Sequence, residues 1–362
     1  MRLIYYKNLD GVRAIAALMI MTFHFFQNIG TTYRVPGYLL KAAVFGQTGV
    51  DLFFVLSGFL ITRILLVTKE APDYFKNFYL RRSLRIFPLY YLFLLLYYFI
   101  FPLIFKEETA TFSQQLYYYT YLQNFARTFN WDAAGPEHFW SLGVEEHFYL
   151  FWPLAIYLLS IKNLKRLIIG IIIGALVLRV IMTKYGYSTF YFTFTRFDAL
   201  AAGALLAVLE LKNTFTKKNA AKFLLLLAGL FVPTIILWTF FTGEGNYLIQ
   251  MFKFLLFSFI YFSVIGYILC IDDSHFVNRV LKSKGFAYTG KISYGLYVYH
   301  IFAYKLCNEF LKINNVFMDL LLKFAMTFAL ATLSFYLFES SFLKLKRYFE
   351  YATSRKQRPA TV

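Results

Sequence analysis

Charge is scarce in this sequence. Only 15% of its 362 residues are Asp, Glu, Lys or Arg, where a soluble globular chain carries about 25%. That shortfall argues against a water-soluble domain. Acidic groups are scarcer still, 19 against 37 basic ones, for a formal net charge of +18. Cysteine is almost missing. Cys270 and Cys307 both lie in apolar stretches and form no CxxC pattern, which argues against a disulfide framework and against a cysteine metal site. With eight prolines, there is no Pro-rich linker, no low-complexity stretch and no internal repeat. The first apolar run does not read as a cleavable signal peptide, because it continues into a long helix and lacks an A-x-A site.

What is present is apolar and aromatic. Hydrophobic residues make up 59%, and Phe and Tyr together fill 75 positions. Runs such as KFLLLLAGLFVPTIILW and MFKFLLFSFIYFSVIGYILC recur along the chain. About 20 apolar residues cross a bilayer core, so the sequence predicts an all-α, polytopic integral membrane protein. Ten spans are expected, near 12–30, 44–66, 86–105, 139–160, 166–183, 197–211, 222–241, 248–271, 287–310 and 317–339. With the N-terminus inside, 26 lysines and arginines fall in cytoplasmic loops and tails and seven outside. That asymmetry predicts both termini in the cytoplasm. It also accounts for the positive charge without nucleic acid as a partner. One membrane domain is expected over 1–343, followed by a basic cytoplasmic tail over 344–362. The longest outside connection, 106–138, has the length of a lid or binding loop.

Ionisable residues in lipid are costly and usually face a cavity or each other. FWSLGVEEHFYLFWP, 139–153, nevertheless carries Glu145, Glu146 and His147. On the expected topology Glu145 lies ~9 Å below the outer end of its span. His24 and Asp51 fall at a similar depth in the first and second spans, and His300 somewhat deeper in the ninth. Arg179, Arg196 and Asp198 cluster near the outer ends of the fifth and sixth. Arg13 and His24, eleven residues apart, share a helix face, which Asn28 extends. Ser141, Glu145 and Tyr149 form a second stripe. Ser293, Tyr297, His300 and Tyr304 form a third. A histidine on an apolar helix is often structural, and tyrosine stripes are often packing, so spacing alone leaves these roles open. At the inner mouth of the third span, FYLRRSLRIFPLYYL places Arg82 and Arg85 at i, i+3. Paired guanidinium groups suit phosphates; ordinary positive-inside anchoring is the other reading.

These stretches together resemble the acyltransferase family 3 membrane proteins, which O-acylate bacterial polysaccharides and other hydroxyl acceptors. LDGVRAIAALMIMTFHF resembles the family's first helix, with Arg13 and His24 in its basic-residue and histidine places. GVDLFFVLSGFLIT resembles the second-helix signature, and RRSLRIFP carries the R-x-x-R as Arg82 and Arg85. FWSLGVEEHFYLFWP is similar to the SLxxE element, with Glu145 in the acidic place and His147 where glutamine is commoner. RFDALAAGALLA and ISYGLYVYHIF match later signatures around Arg196, Asp198 and His300. The resemblance implies an O-acetyltransferase of the inner membrane. It would move an acyl group, acetyl first among the candidates, from cytosolic acyl-CoA to a saccharide or lipid-linked glycan, with no bound cofactor and no metal. It further implies that Arg82 and Arg85, with Arg13, hold the donor. His24 and Glu145 are then the catalytic candidates, supported by Asp51, Ser141, Arg196, Asp198 and His300. A multi-pass transporter or flippase with an intramembrane charged path is the competing class.

Overall fold

The computed structural model describes residues 5–27, 29, 33–240, 247–311 and 313–351. Asn28 and residues 352–362, expected on the first helix and in the basic tail, lie outside the described residues. The described chain is helical, with no strand among the described residues. Its long helices are α1 (Asn8–Gln27), α2 (Gly49–Thr68), α3 (Tyr74–Leu95), α4 (Trp140–Leu158) and α5 (Ile161–Lys184). They continue with α6 (Phe197–Glu210), α7 (Lys217–Phe240), α8 (Tyr247–Cys270), α9 (Ser293–Phe310) and α10 (Val316–Ser334).

Among the described residues, seven helices are long and apolar enough to cross a membrane: Asn8–Gln27, Gly37–Thr68, Tyr74–Phe105, Ile161–Lys184, Lys217–Leu237, Met251–Cys270 and Val316–Phe349. The other three expected spans form as α4, α6 and α9. They are shorter or carry more polar groups, α6 having only 14 residues. The third helix begins a dozen residues before the expected 86. Tyr74–Leu95 is continuous through Pro88 and runs on by a π-turn, Leu96–Ile100, to Phe105. Apolar helices tolerate such prolines when neighbouring groups satisfy the freed carbonyl. Arg81, Arg82 and Arg85 therefore sit within a helix rather than ahead of one. The ninth expected span is broken at Ile292 into Lys284–Lys291 and α9. The tenth runs on through a π-turn, Phe335–Glu339, as far as Phe349.

The chain forms two compact units. The first comprises residues 1–5, 51–74 and 110–279. Its centre is α6, where every residue from Asp198 to Ala204 and from Leu206 to Val208 is buried. α6 packs on α5, α8 and α4. It also meets α2 at a glycine pair. A Cβ on Gly203 would lie 1.9 Å from the Val55 carbonyl oxygen, and one on Gly58 would lie 2.0 Å from that of Leu200. Only glycine permits backbones that close, the small-residue packing that membrane helices use where hydrophobic burial no longer drives association. Within this unit residues 110–138 of the long connection contribute two short helices, Phe112–Tyr119 and Gln123–Thr128, rather than an open loop.

The second unit comprises residues 6–50, 75–109 and 280–362. Here α1 lies against Lys284–Lys291, against α9 and against the Phe45–Thr48 turn. α9 and α10 pack side by side. Phe25, Ile29, Ala303 and Tyr304 form an apolar core between α1 and α9.

Candidate active site

In the second unit, α1 and α9 bring His24 and His300 together. His24 Nδ1 and His300 Nε2 are 3.0 Å apart, with ring centroids 4.9 Å apart and planes inclined at 46°. His300 is fully buried and His24 half-buried. His300 Nδ1 lies 2.7 Å from the Tyr297 carbonyl oxygen, and His24 Nδ1 lies 3.1 Å from that of Ile20. The Tyr304 hydroxyl donates to the Met21 carbonyl at 3.0 Å, pinning α9 to α1 one turn below His24. Two stripes that the sequence placed at comparable depth are thus a direct side-chain pair.

Further down α1, about 16 Å from His24 by helical rise, Arg13 bonds Asp10 at 2.5 Å. Arg13 belongs to a basic cluster at this end of the unit. Arg81, Arg82 and Arg85 on α3 and Lys346 beyond α10 complete it, since Lys346 lies within electrostatic reach of Arg85, Arg81, Arg82 and Arg13. Arg81 Nη1 donates to the carbonyls of Lys346 at 2.9 Å and Phe349 at 3.3 Å, which ties the extension of α10 to α3. Glu339, in the π-turn, accepts from the Ser334 hydroxyl at 3.1 Å and lies within electrostatic reach of Arg85. Five cations, with Asp10 and Glu339 among them, make a basic patch, which attracts an anion. Arg13, Arg82 and Arg85 stand out in the sequence, whereas Arg81 does not, and Lys346 falls in the expected tail. The helical continuation to Phe349 is what returns Lys346 to the cluster.

In the first unit the buried charges resolve into pairs. Arg196 Nη2 bonds Asp51 Oδ1 at 2.5 Å, and Arg179 Nη1 bonds Asp198 Oδ2 at 2.8 Å. All four residues are buried. Arg179 also donates to the carbonyls of Thr195 at 2.6 Å and Met251 at 3.1 Å. The Arg196 guanidinium stands 3.8 Å from the centre of the Phe254 ring, with Trp140, Phe190 and Phe54 at 5.4–5.8 Å. Aromatic faces attract such a desolvated cation. Asp51, Arg196 and Asp198 are therefore locked together with Arg179 in one network joining α2, α5 and the start of α6.

The helix that carries Glu145 is held at its outset. Gln123 donates to the Phe139 carbonyl at 2.9 Å, and Asn124 donates to those of Trp140 at 2.8 Å and Tyr191 at 3.0 Å. Both side chains are buried; the sequence had given no reason to single them out. Ser141 is buried and Glu145 half-buried. His147 Nδ1 meets the Thr193 hydroxyl at 3.0 Å, and Tyr149 and Ser57 are hydrogen-bonded. His147 and Tyr149 thus fasten α4 to its neighbours.

Buried ion pairs, a histidine pair and a basic cluster on helices built for lipid define a polytopic α-helical membrane protein with chemistry inside its helical units. The acyltransferase domain family matches residues 6–339, nearly the whole chain, and the chain belongs to that family. It is 28% identical over 368 residues to the peptidoglycan O-acetyltransferase OatA of Listeria monocytogenes, covering 94% of this chain and 56% of that protein. It is likewise 28% identical to a candidate peptidoglycan O-acetyltransferase of Bacillus subtilis, covering 92% of this chain and 54% of that protein. It has the same identity to a candidate O-acetyltransferase of Staphylococcus aureus, covering 94% and 58%. The chain thus spans a little over half the length of these relatives. No solved structure matches it at a significant level.

Proposed function

We propose that this chain is a membrane O-acetyltransferase that moves an acetyl group from cytosolic acetyl-coenzyme A to a hydroxyl of a cell-wall glycan. The observation that carries the reading is the basic cluster of Arg13, Arg81, Arg82, Arg85 and Lys346, in the same unit as the His24–His300 pair. A coenzyme A donor needs a site for its phosphates on the cytoplasmic side. The proposed topology of ten spans with both termini inside puts the cluster there. The extended pantetheine arm then runs along α1 toward His24.

A hydroxyl needs a base to act as a nucleophile near neutral pH. Histidine, whose ordinary pKa is about 6.5, suits that role. The acceptor oxygen attacks the thioester carbonyl while His24 takes the hydroxyl proton. The new C–O bond forms, the C–S bond breaks, and the coenzyme A sulfur leaves as thiolate and receives the proton from His24. Glu145, half-buried on α4, is the second catalytic candidate. The paired Asp51–Arg196 and Arg179–Asp198 hold the helices around them rather than the reactants.

Binding of acetyl-coenzyme A to the purified protein in detergent tests the donor site without knowledge of the acceptor. Wild type is expected to bind, and Arg82→Ala/Arg85→Ala to bind at least about 100-fold more weakly, since each charge-assisted contact contributes roughly 1.5–3 kcal/mol. A folded wild type that binds no acyl-coenzyme A overturns the donor assignment and favours a transporter.

A further inference from the structure

We propose that His300 is a positioning residue that fixes the tautomer of His24, so that His24 presents an unprotonated Nε2 to the acceptor hydroxyl. The proposal rests on the reading of His24 as the base.

The hydrogen-bond geometry leads there step by step. The Tyr297 carbonyl can only accept, so the His300 Nδ1 atom at 2.7 Å carries the hydrogen. A neutral imidazole has one N–H, which leaves the lone pair of His300 on Nε2. That lone pair faces His24 Nδ1 at 3.0 Å. The same His24 nitrogen faces the Ile20 carbonyl at 3.1 Å. Two independent acceptors converge on His24 Nδ1, so it holds the proton, and Nε2 of neutral His24 is the basic nitrogen. The opposite arrangement requires His300 to be doubly protonated. That would place a full charge on a side chain with no exposure at all, at a high desolvation cost.

His300 thus does for His24 what a carboxylate does behind many catalytic imidazoles, but as a neutral acceptor. When His24 takes the hydroxyl proton on Nε2, its Nδ1–H···Nε2 bond to His300 becomes charge-assisted and shortens the climb to the imidazolium. The proton then passes from His24 Nε2 to the departing sulfur. His300 gains and loses none. Tyr297 and Tyr304, with ring centres 5.8 and 5.9 Å from that of His300, hold its ring in place.

The test uses the full chain in lipid nanodiscs, acetyl-coenzyme A as donor probe and a chitin tetrasaccharide as acceptor probe. His300→Gln puts an amide oxygen near the place of Nε2, whereas the side chain of His300→Asn ends one bond short and His300→Phe offers no acceptor. The Phe and Asn variants are expected to lose roughly 10- to 100-fold in kcat. Their KM for acetyl-coenzyme A should stay within about twofold, and His300→Gln should keep most of the activity. Histidine 15N spectra should show the Nδ1–H form of His24 in wild type and His300→Gln, and a mixture of tautomers in His300→Phe. An Nε2–H form of His24 in the wild type overturns the proposal. So does wild-type kcat in His300→Phe, or equal losses in Gln and Asn with the His24 tautomer unchanged. His24→Ala separates the two readings. If it transfers acetyl normally, the base assignment itself has failed. If it is inactive while His300→Phe is not, only the tautomer proposal falls.

Discussion

Lys346 shows how a single residue changes its meaning with its surroundings. In the sequence it belongs to a basic stretch, KLKR, of the sort that anchors any membrane protein at its cytoplasmic face. In the structure it joins four arginines drawn from two other helices. Like charges gathered in one place attract a polyanion such as the phosphates of coenzyme A, so each member should contribute to donor binding. Lys346→Ala is expected to weaken acetyl-coenzyme A binding about 10- to 100-fold, the loss of one charged contact, and to reduce the salt dependence of binding. Calorimetry at two ionic strengths checks this. Unchanged affinity at low salt would place Lys346 outside the donor site. The buried pairs Asp51–Arg196 and Arg179–Asp198 behave differently, because two cations matched by two carboxylates present no net charge to an anion.

Among the helices, α6 decides most. At 14 residues it is short for a span, yet it is almost wholly buried within its unit. Its sequence, FDALAAGALLAVLE, is small on the face that meets α2, and Gly203 lies against the Val55 backbone. Gly203→Val is therefore expected to force α2 and α6 apart and to lower the yield of monodisperse protein severely. The cost is on the order of the 1–3 kcal/mol of an overpacked core or more. Gly174→Val in α5, where an added Cβ meets nothing within 4 Å, serves as the control and should be neutral. Size-exclusion profiles and thermal unfolding in detergent read both. A second element-scale device is the π-turn. It interrupts the helix just after α10 and just after α3, and such bulges often mark functional positions. The one after α10 carries Glu339, beside Arg85.

For the whole molecule the charge asymmetry makes a prediction about orientation. Cys270 and Cys307 are both buried, so a cysteine-free background can be made and single cysteines introduced at exposed sites. Glu108→Cys, in the connection 106–138, should react with a membrane-impermeant thiol reagent in intact cells. Lys218→Cys, at the start of α7, should react only after the membrane is opened. Labelling of Lys218→Cys in intact cells would invert the topology and remove the argument that places the basic cluster beside cytosolic donor.

Composition and apolar runs were enough to determine the helical membrane class and, within a few residues, the positions of α1, α2 and α4 to α8, because membrane insertion is decided segment by segment from apolar length. Motif order was likewise enough to indicate the family. The sequence also marked His24, His300, Arg13, Arg82 and Arg85 as unusual, since ionisable groups stand out in lipid-facing stretches. It could not pair them. Depth along a helix follows from residue number, but which faces meet depends on how helices rotate and pack. Only the fold showed that His24 touches His300, that Asp51 neutralises Arg196, that Gln123 and Asn124 clamp the start of α4, and that a helix running on past its expected end carries Lys346 to the arginines. Rise per residue is a local property of the backbone, whereas side-chain partnership is set by the close packing of segments far apart in the chain.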